Sequence, residues 1–270
     1  MAIDLHVHTD ASDGLFPPEA VYKMAGEAGL KMIAITDHDT VRGYDRADAG
    51  RDQGGPTLVP GVEFTTTFET REVHVLGYFR EKIPAPIRDF LTRTQGERRK
   101  RIRAGVERLN DLGVPLAFSE VESLCTGDCI GRSHLARALV ERGTVRTVRQ
   151  AFERYLAAEH EIIPNTETSV EEVLARVRES GGVSVWAHPD IDLFDCHVKE
   201  FQEAGLDGVE VYSPRSSGVK NLYVERVAED LGLLKAGGSD WHGHPTQGPL
   251  GRFRVAGGQI GALLSRLGVA

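Results

Sequence analysis

Short apolar runs alternate along the chain with stretches whose apolar residues recur three and four positions apart. Residues 3–7, 31–36, 57–64 and 72–79 read as strands. Residues 18–28 read as a helix opened by Pro17 and Pro18 and stopped by Gly29, with Ala20, Val21, Met24, Ala25 and Ala28 along one face. A second helix is expected over 41–53. Strands alternating with helices predict a mainly parallel sheet or barrel. The rhythm breaks after Phe79. Residues 88–112 are rich in Arg and Glu at helical spacing and end at Gly113; further helices are expected over 119–124, 133–142 and 147–158, with no strong strand among them. The β/α rhythm then resumes with helices at 169–179, 198–204 and 220–231 and strands at 182–187, 208–212 and 233–237. The pattern predicts an α/β barrel built from residues 1–82 and 160–270, carrying a packed helical insertion at 83–159.

Composition sharpens this only in part. At 270 residues, 40% hydrophobic and 27% charged, the chain is long enough for one barrel-sized domain with a substantial core. A net charge of −8 argues against binding long duplex nucleic acid, which requires a basic surface. The start at Met1 shows no basic leader or long apolar run, so neither a signal peptide nor a membrane span is expected. Three cysteines (Cys125, Cys129, Cys196) lack the paired spacing of a zinc ribbon and read as reduced thiols of a cytoplasmic protein.

The candidate chemistry lies where the predicted strands end. His6-Val7-His8 places two imidazoles on one side of a strand, with Asp13 soon after. Thr36-Asp37-His38-Asp39 closes the second strand, Glu63 the third, and His74 lies in the fourth. Ala187-His188-Pro189 and Gly238-Ser239-Asp240-Trp241-His242-Gly243 close two later strands. Each pattern alone is weak: an isolated H-x-H is more often incidental than a ligand pair. Together they put His, Asp and Glu on the face where parallel barrels build their sites, and so many buried ionisable groups need a partner such as metal ions.

The ordered set D-L-H-x-H, T-D-H-D-T, G-x-E, H-x-L-G-Y, A-H-P and G-S-D-x-H-G resembles the polymerase and histidinol phosphatase (PHP) family of metallophosphoesterases over residues 4–79 and 180–251. The segment Ile130-Gly131-Arg132-Ser133-His134-Leu135-Ala136 is similar to the insert of a subgroup of 3′,5′-nucleotide bisphosphate phosphatases and 5′→3′ exonucleases acting on short RNA. The resemblance implies a distorted (β/α)7 TIM-like barrel and two to three divalent ions. His6, His8, Glu63 and Asp240 would hold one ion. Glu63 would bridge to a second, held also by His74 and His188, and Asp13, His38 and His242 would hold the third. Ligation by N and O without thiolate suits manganese, iron or zinc better than magnesium. The expected reaction is hydrolysis of a phosphate ester by a hydroxide bridging the ions, with Glu63, Asp240 and His242 in the catalytic set. No Gly-x-Ser-x-Gly nucleophile is present.

Arg132 and His134 are expected to hold substrate phosphate, for which the planar guanidinium fork is suited; the plainer alternative is a helix-start arginine and a capping histidine. The run Arg98-Arg99-Lys100-Arg101 reads as a solvated face, with one member available for a second phosphate. Trp241 is equally consistent with stacking on a base and with packing at the barrel rim. Arg215 follows the strand ending at Tyr212 and is a further substrate candidate. The family often places a histidine shortly after that strand, where this chain has residues 213–218, which leaves the preferred ester open. Histidinol-phosphate hydrolysis is disfavoured by the Gly131–Ala136 segment, and a non-catalytic metal-binding module by the full set of nine ligand positions. An amidohydrolase-type site is disfavoured because no lysine is placed to bridge two metals. The implied partner is a small phosphorylated nucleotide or a short oligoribonucleotide.

Overall fold

In the computed structural model of the protein, residues 1–157 and 160–269 are described. The chain runs β1 (Ala2–Val7), α1 (Pro18–Glu27), β2 (Met32–Ile35), α2 (Arg42–Ala49), β3 (Thr57–Phe68) and β4 (Arg71–Tyr78). Four helices follow without a strand: α3 (Ala85–Asp111), α4 (Phe118–Glu122), α5 (Arg132–Glu141) and α6 (Val148–Ala151). The alternation returns with α7 (Val170–Glu179), β5 (Val183–Trp186), α8 (Ile191–Ala204), β6 (Gly208–Tyr212), α9 (Gly218–Leu231) and β7 (Leu234–Gly237), then β8 (Val255–Ala256) and α10 (Gly261–Leu267).

The strands form one sheet in the order β7-β6-β5-β4-β3-β2-β1-β8. Beyond β7 the chain returns to β1: Val7 bridges Trp241 in parallel, and the His8 amide donates to the Trp241 carbonyl at 2.9 Å. The sheet therefore wraps into a nearly closed barrel, and its strands and the helices packed on them share one apolar core that includes Leu5, Ile33, Phe64, Leu76, Val185 and Val209. The helical segment encloses a second apolar cluster of its own, centred on Leu109, Leu135 and Leu139.

Three features depart from the sequence pattern. β3 and β4 form an antiparallel hairpin, and β4 also pairs antiparallel with β5, so the parallel order is broken in mid-sheet. The turn between β3 and β4 contains Glu69 at φ 52°, a left-handed conformation usually taken by Gly or Asn, so residue type did not announce it. The helix expected over 198–204 is only the second half of α8, which starts where Asp190 Oδ1 accepts from the amides of Asp192 and Leu193. The helix expected over 147–158 is α6 followed by a π-helical turn, Phe152–Leu156; its last position lies outside the described residues. Among the described residues no helix is long and apolar enough to cross a membrane.

Candidate metal centre

The strand ends carry the chemistry. His6 and His8 close β1, and His38 follows β2. His188 follows β5, and Asp240 and His242 follow β7. Because β4 runs antiparallel, its His74 lies opposite Thr65 of β3 and reaches the same end of the barrel as Glu63. Asp13 arrives on the loop after β1. Asp37 anchors that loop, its carboxylate accepting from the Thr9 amide (2.7 Å), Thr9 Oγ1 (2.6 Å) and Ser12 Oγ (2.6 Å). All nine side chains meet.

Glu63 stands at the centre and is fully buried. Its Oε2 lies 3.2 Å from His6 Nε2, 3.1 Å from His8 Nε2 and 3.2 Å from His38 Nδ1. Its Oε1 lies 3.1 Å from both His74 Nδ1 and His188 Nε2. Asp240 Oδ1 approaches His8 Nε2 at 3.2 Å and His6 Nε2 at 3.6 Å. Asp13 Oδ1 is 3.3 Å from His242 Nε2.

Two observations test whether metal ions fit. First, His6 Nε2, both nitrogens of His8, His38 Nδ1 and Glu63 Oε2 are buried without a hydrogen-bond partner, so these short approaches are not hydrogen bonds. Lone pairs aimed at shared points are what a cation requires. Second, four groups of potential ligand atoms lie within coordinating reach of one another: His8, Asp13, His38 and His242; His6, His8 and Asp240; His6, Glu63 and His188; and His38, Glu63 and His74. The donor set, imidazole nitrogen with carboxylate oxygen, suits borderline divalent ions. The residues fit the group.

The electrostatics agree. Burial alone would lower the histidines, yet contacts with Asp240 and Glu63 outweigh it and push His8 up to about 10. His74 likewise rises to about 9 against burial because Glu63 and Glu72 flank it. Burial opposes ionisation of Glu63, Asp13 and Asp240, but the surrounding imidazoles hold all three well below the usual carboxylate range. The three carboxylates therefore stay ionised, and a cation entering the site would displace the protons that His8 and His74 otherwise hold.

Backbone geometry at the site is unusual. Asp39, His188 and Asp240 adopt φ of 47°, 31° and 51°, left-handed conformations that cost non-glycine residues about 1–3 kcal/mol each. Gly238, by contrast, is required sterically. A Cβ there would lie 2.4 Å from His6 Cβ, so the strand carrying Asp240 can approach β1 only at glycine.

Several supporting residues carry no sequence motif. Glu210, inward on β6, accepts from His6 Nδ1 (3.1 Å) and from the His188 amide (2.8 Å), leaving His6 Nε2 free to face the centre. Glu72 takes His74 Nε2 at 2.9 Å and leaves Nδ1 for Glu63. Both are acids inside strands, and that was the only signal available. Ser133 Oγ donates to Asp13 Oδ2 at 2.9 Å, tying α5 to the barrel.

The helical segment contributes cations, though not as a solvated run. Arg99 and Lys100 are exposed, but Arg98 and Arg101 turn inward, which corrects the surface reading of all four. Arg98 pairs with Asp39 and donates to Thr65 Oγ1 (2.6 Å) and the Ile130 carbonyl (3.1 Å). Arg101 donates to the Pro164 carbonyl (2.7 Å) and to Glu72 (3.2 Å). Arg132 also rests on Glu72, and it lines both the cleft beside Asp13, His38 and His74 and a cavity of 470 Å³ shared with Arg71, Arg101 and Arg108. His134 is buried, and its Nδ1 accepts from the Gly131 amide (3.1 Å), which is the capping alternative. Burial lowers it to about 4. Arg215 Nη1 reaches Asp240 Oδ2 at 2.8 Å. Trp241 is buried against Phe16 with its Nε1 on the Gly248 carbonyl, so it packs at the rim.

The model of the PHP domain matches residues 4–171. The chain is 34% identical over 247 residues to the 5′-3′ exoribonuclease Rnm of Salmonella typhimurium, covering 88% of this chain and 84% of that protein. It is 30% identical over 247 residues to the 3′,5′-nucleoside bisphosphate phosphatase of Chromobacterium violaceum, covering 89% and 87%. Among solved structures, a protein from Bifidobacterium adolescentis described as a candidate metal-dependent phosphoesterase superposes with a TM-score of 0.87 at 32% identity, covering 98% of this chain and 96% of that one.

Proposed function

The chain belongs to the PHP family of metal-dependent phosphoesterases, and from that premise we propose that it hydrolyses the ester at the 3′-oxygen of a small 5′-phosphorylated nucleotide. The substrate is a 3′,5′-bisphosphate or the first nucleotide of a short oligoribonucleotide. One observation carries this reading: the nine ligand-type side chains open directly onto an arginine-lined cavity through Arg132. A second phosphate, beyond the one being cleaved, would have cations waiting for it. Histidinol phosphate has no such second phosphate.

His6, His8, Glu63 and Asp240 would hold one ion, Glu63 with His74 and His188 a second, and Asp13, His38 and His242 a third, with manganese, iron or zinc as occupants. Divalent ions held there would supply Lewis acidity toward phosphoryl oxygen and toward water. The chain does the rest. Glu63 and Asp240, kept ionised by their imidazole neighbours, concentrate the negative charge that retains the ions. His242 completes the catalytic set beside Asp13. Arg132 presents a donor fork that phosphoryl oxygens can take from Glu72, and Arg215 offers a second from the loop after β6. His134 supports this arrangement by fixing the start of α5, the helix that opens with Arg132. Residues 83–159 then act as a substrate cap over the barrel, and the cytoplasm is the compartment that this substrate class implies.

The test is turnover by manganese-loaded protein on adenosine 3′,5′-bisphosphate, a 5′-phosphorylated dinucleotide and histidinol phosphate. Phosphate release from histidinol phosphate alone sinks the proposal. Arg132→Ala is expected to reduce kcat/KM by about 10²-fold, the scale of one lost charge-assisted fork, with metal content unchanged. Loss of metal in that variant would mean that Arg132 supports the centre and not the substrate. Glu210→Gln keeps the shape of the His6 support but not its charge, and metal affinity should fall by about 10- to 100-fold. Equilibrium dialysis against a chelator series reads this directly.

A further inference from the structure

A groove of 600 Å³ opens on the Asp240 side of the centre and shares no lining residue with the arginine-rich cavity. Its walls include Arg215, Trp241, His244, Arg252 and Phe253, and no aspartate or glutamate lines it, although the chain carries a net charge of −8. Arg252 is exposed and has no carboxylate partner among the described residues. The floor is fixed to the centre. Gln247 donates to the Asp240 carbonyl at 2.8 Å and accepts from the His242 amide at 2.8 Å, while Arg215 reaches the Asp240 carboxylate.

We propose that this groove binds the single strand that continues beyond the cleaved phosphate of an oligoribonucleotide. The inference rests on the function proposed above. In that reaction the oxygen of water bonds to phosphorus as the bond from phosphorus to the 3′-oxygen breaks, and the 3′-oxygen leaves with a proton as a hydroxyl. The first nucleotide departs with its 5′-phosphate. In a bisphosphate the attacked phosphorus carries no other ester, and the product is inorganic phosphate. In an oligoribonucleotide it also carries the 5′-oxygen of the next nucleoside, so the remaining strand keeps a 5′-phosphate and needs an exit. A second opening of opposite sign to the bulk chain, free of acids and walled by arginine and aromatic side chains, meets that need; it has the character of single-strand grooves. The shortened strand carries the 5′-phosphate that the next cycle requires.

The experiment compares wild type, Arg252→Gln and Arg252→Glu, all manganese-loaded, on adenosine 3′,5′-bisphosphate and on 5′-phosphorylated penta-adenylate. For Arg252→Glu the pentamer KM is expected to rise about tenfold while bisphosphate turnover stays within about twofold. The logarithmic salt dependence of the pentamer KM should be shallower by about one in Arg252→Gln, the signature of one lost phosphate contact. Equal effects on both substrates, or an unchanged pentamer KM, overturn the groove assignment. Wild-type turnover of the bisphosphate without the pentamer overturns it too and leaves the phosphatase reading standing. Turnover of neither overturns that reading and the groove with it.

Discussion

Glu63→Gln leaves the barrel folded and loses turnover by about three orders of magnitude, the scale on which removal of one group that stabilises developing charge is felt. The substitution is isosteric, so packing around the buried side chain is kept. What changes is charge: two oxygens now facing five imidazoles become one oxygen and one NH2 group, and the NH2 nitrogen can neither accept nor coordinate. No other carboxylate in the centre touches imidazoles of β1, β2, β4 and β5 together, so no neighbour substitutes for it. Elemental analysis of the purified variant should show fewer ions per chain, with an unchanged far-UV spectrum. Wild-type turnover with wild-type metal content would remove Glu63 from the proposed bridge.

Arg98→Ala should be the most destabilising single change outside the two apolar cores. Asp39 is nearly fully buried, and Arg98 is its cationic partner. The remaining hydrogen bonds of Asp39 join it to the Thr65 amide through Oδ1 (2.9 Å), to Gln95 through its carbonyl (2.9 Å) and to the Glu63 carbonyl through its own amide (2.8 Å), and none of them brings a cation. Breaking a buried pair from one side costs about 3–5 kcal/mol, because the other charge is stranded. For a chain of this size that corresponds to a fall in Tm of roughly 10 °C. The paired replacement Arg98→Met with Asp39→Asn removes both charges and should recover most of the loss, the more so because Asn tolerates the left-handed backbone found at Asp39. Urea unfolding of the wild type and the two variants decides it. A single-variant loss under about 1 kcal/mol would place the pair in solvent and refute the buried reading.

Both predictions depend on features of unequal visibility in the sequence. The convergence of the nine side chains was legible because most of them sit where an apolar run ends, and strand geometry puts alternate residues such as His6 and His8 on one side. Their supports were not. Glu210 looks like any acid in a strand, and only the closed barrel shows it facing His6. Arg98 and Arg101 were masked by the run in which they stand. Their spacing of three along α3, continued by Ile102 and Gly105, does mark one helical face, and that face is the inward one. The antiparallel β4 was hidden because Glu69 and Thr70 carry no turn chemistry, and β8 because two residues give no periodicity. Which ligands share an ion is a matter of distances across the barrel, which spacing along the chain does not encode.

His6 lies on the first strand and His8 just past it, Asp240 and His242 lie just past the seventh, and the contact between Val7 and Trp241 joins them. The centre is thus completed late in chain synthesis: a growing polypeptide has His6, His8 and Glu63 long before Asp240 and His242 exist. Such non-local closure is slow relative to local helix formation. Metal selection would consequently fall to the folded barrel, where the divalent ions that are free would matter as much as the intrinsic preference of the ligands.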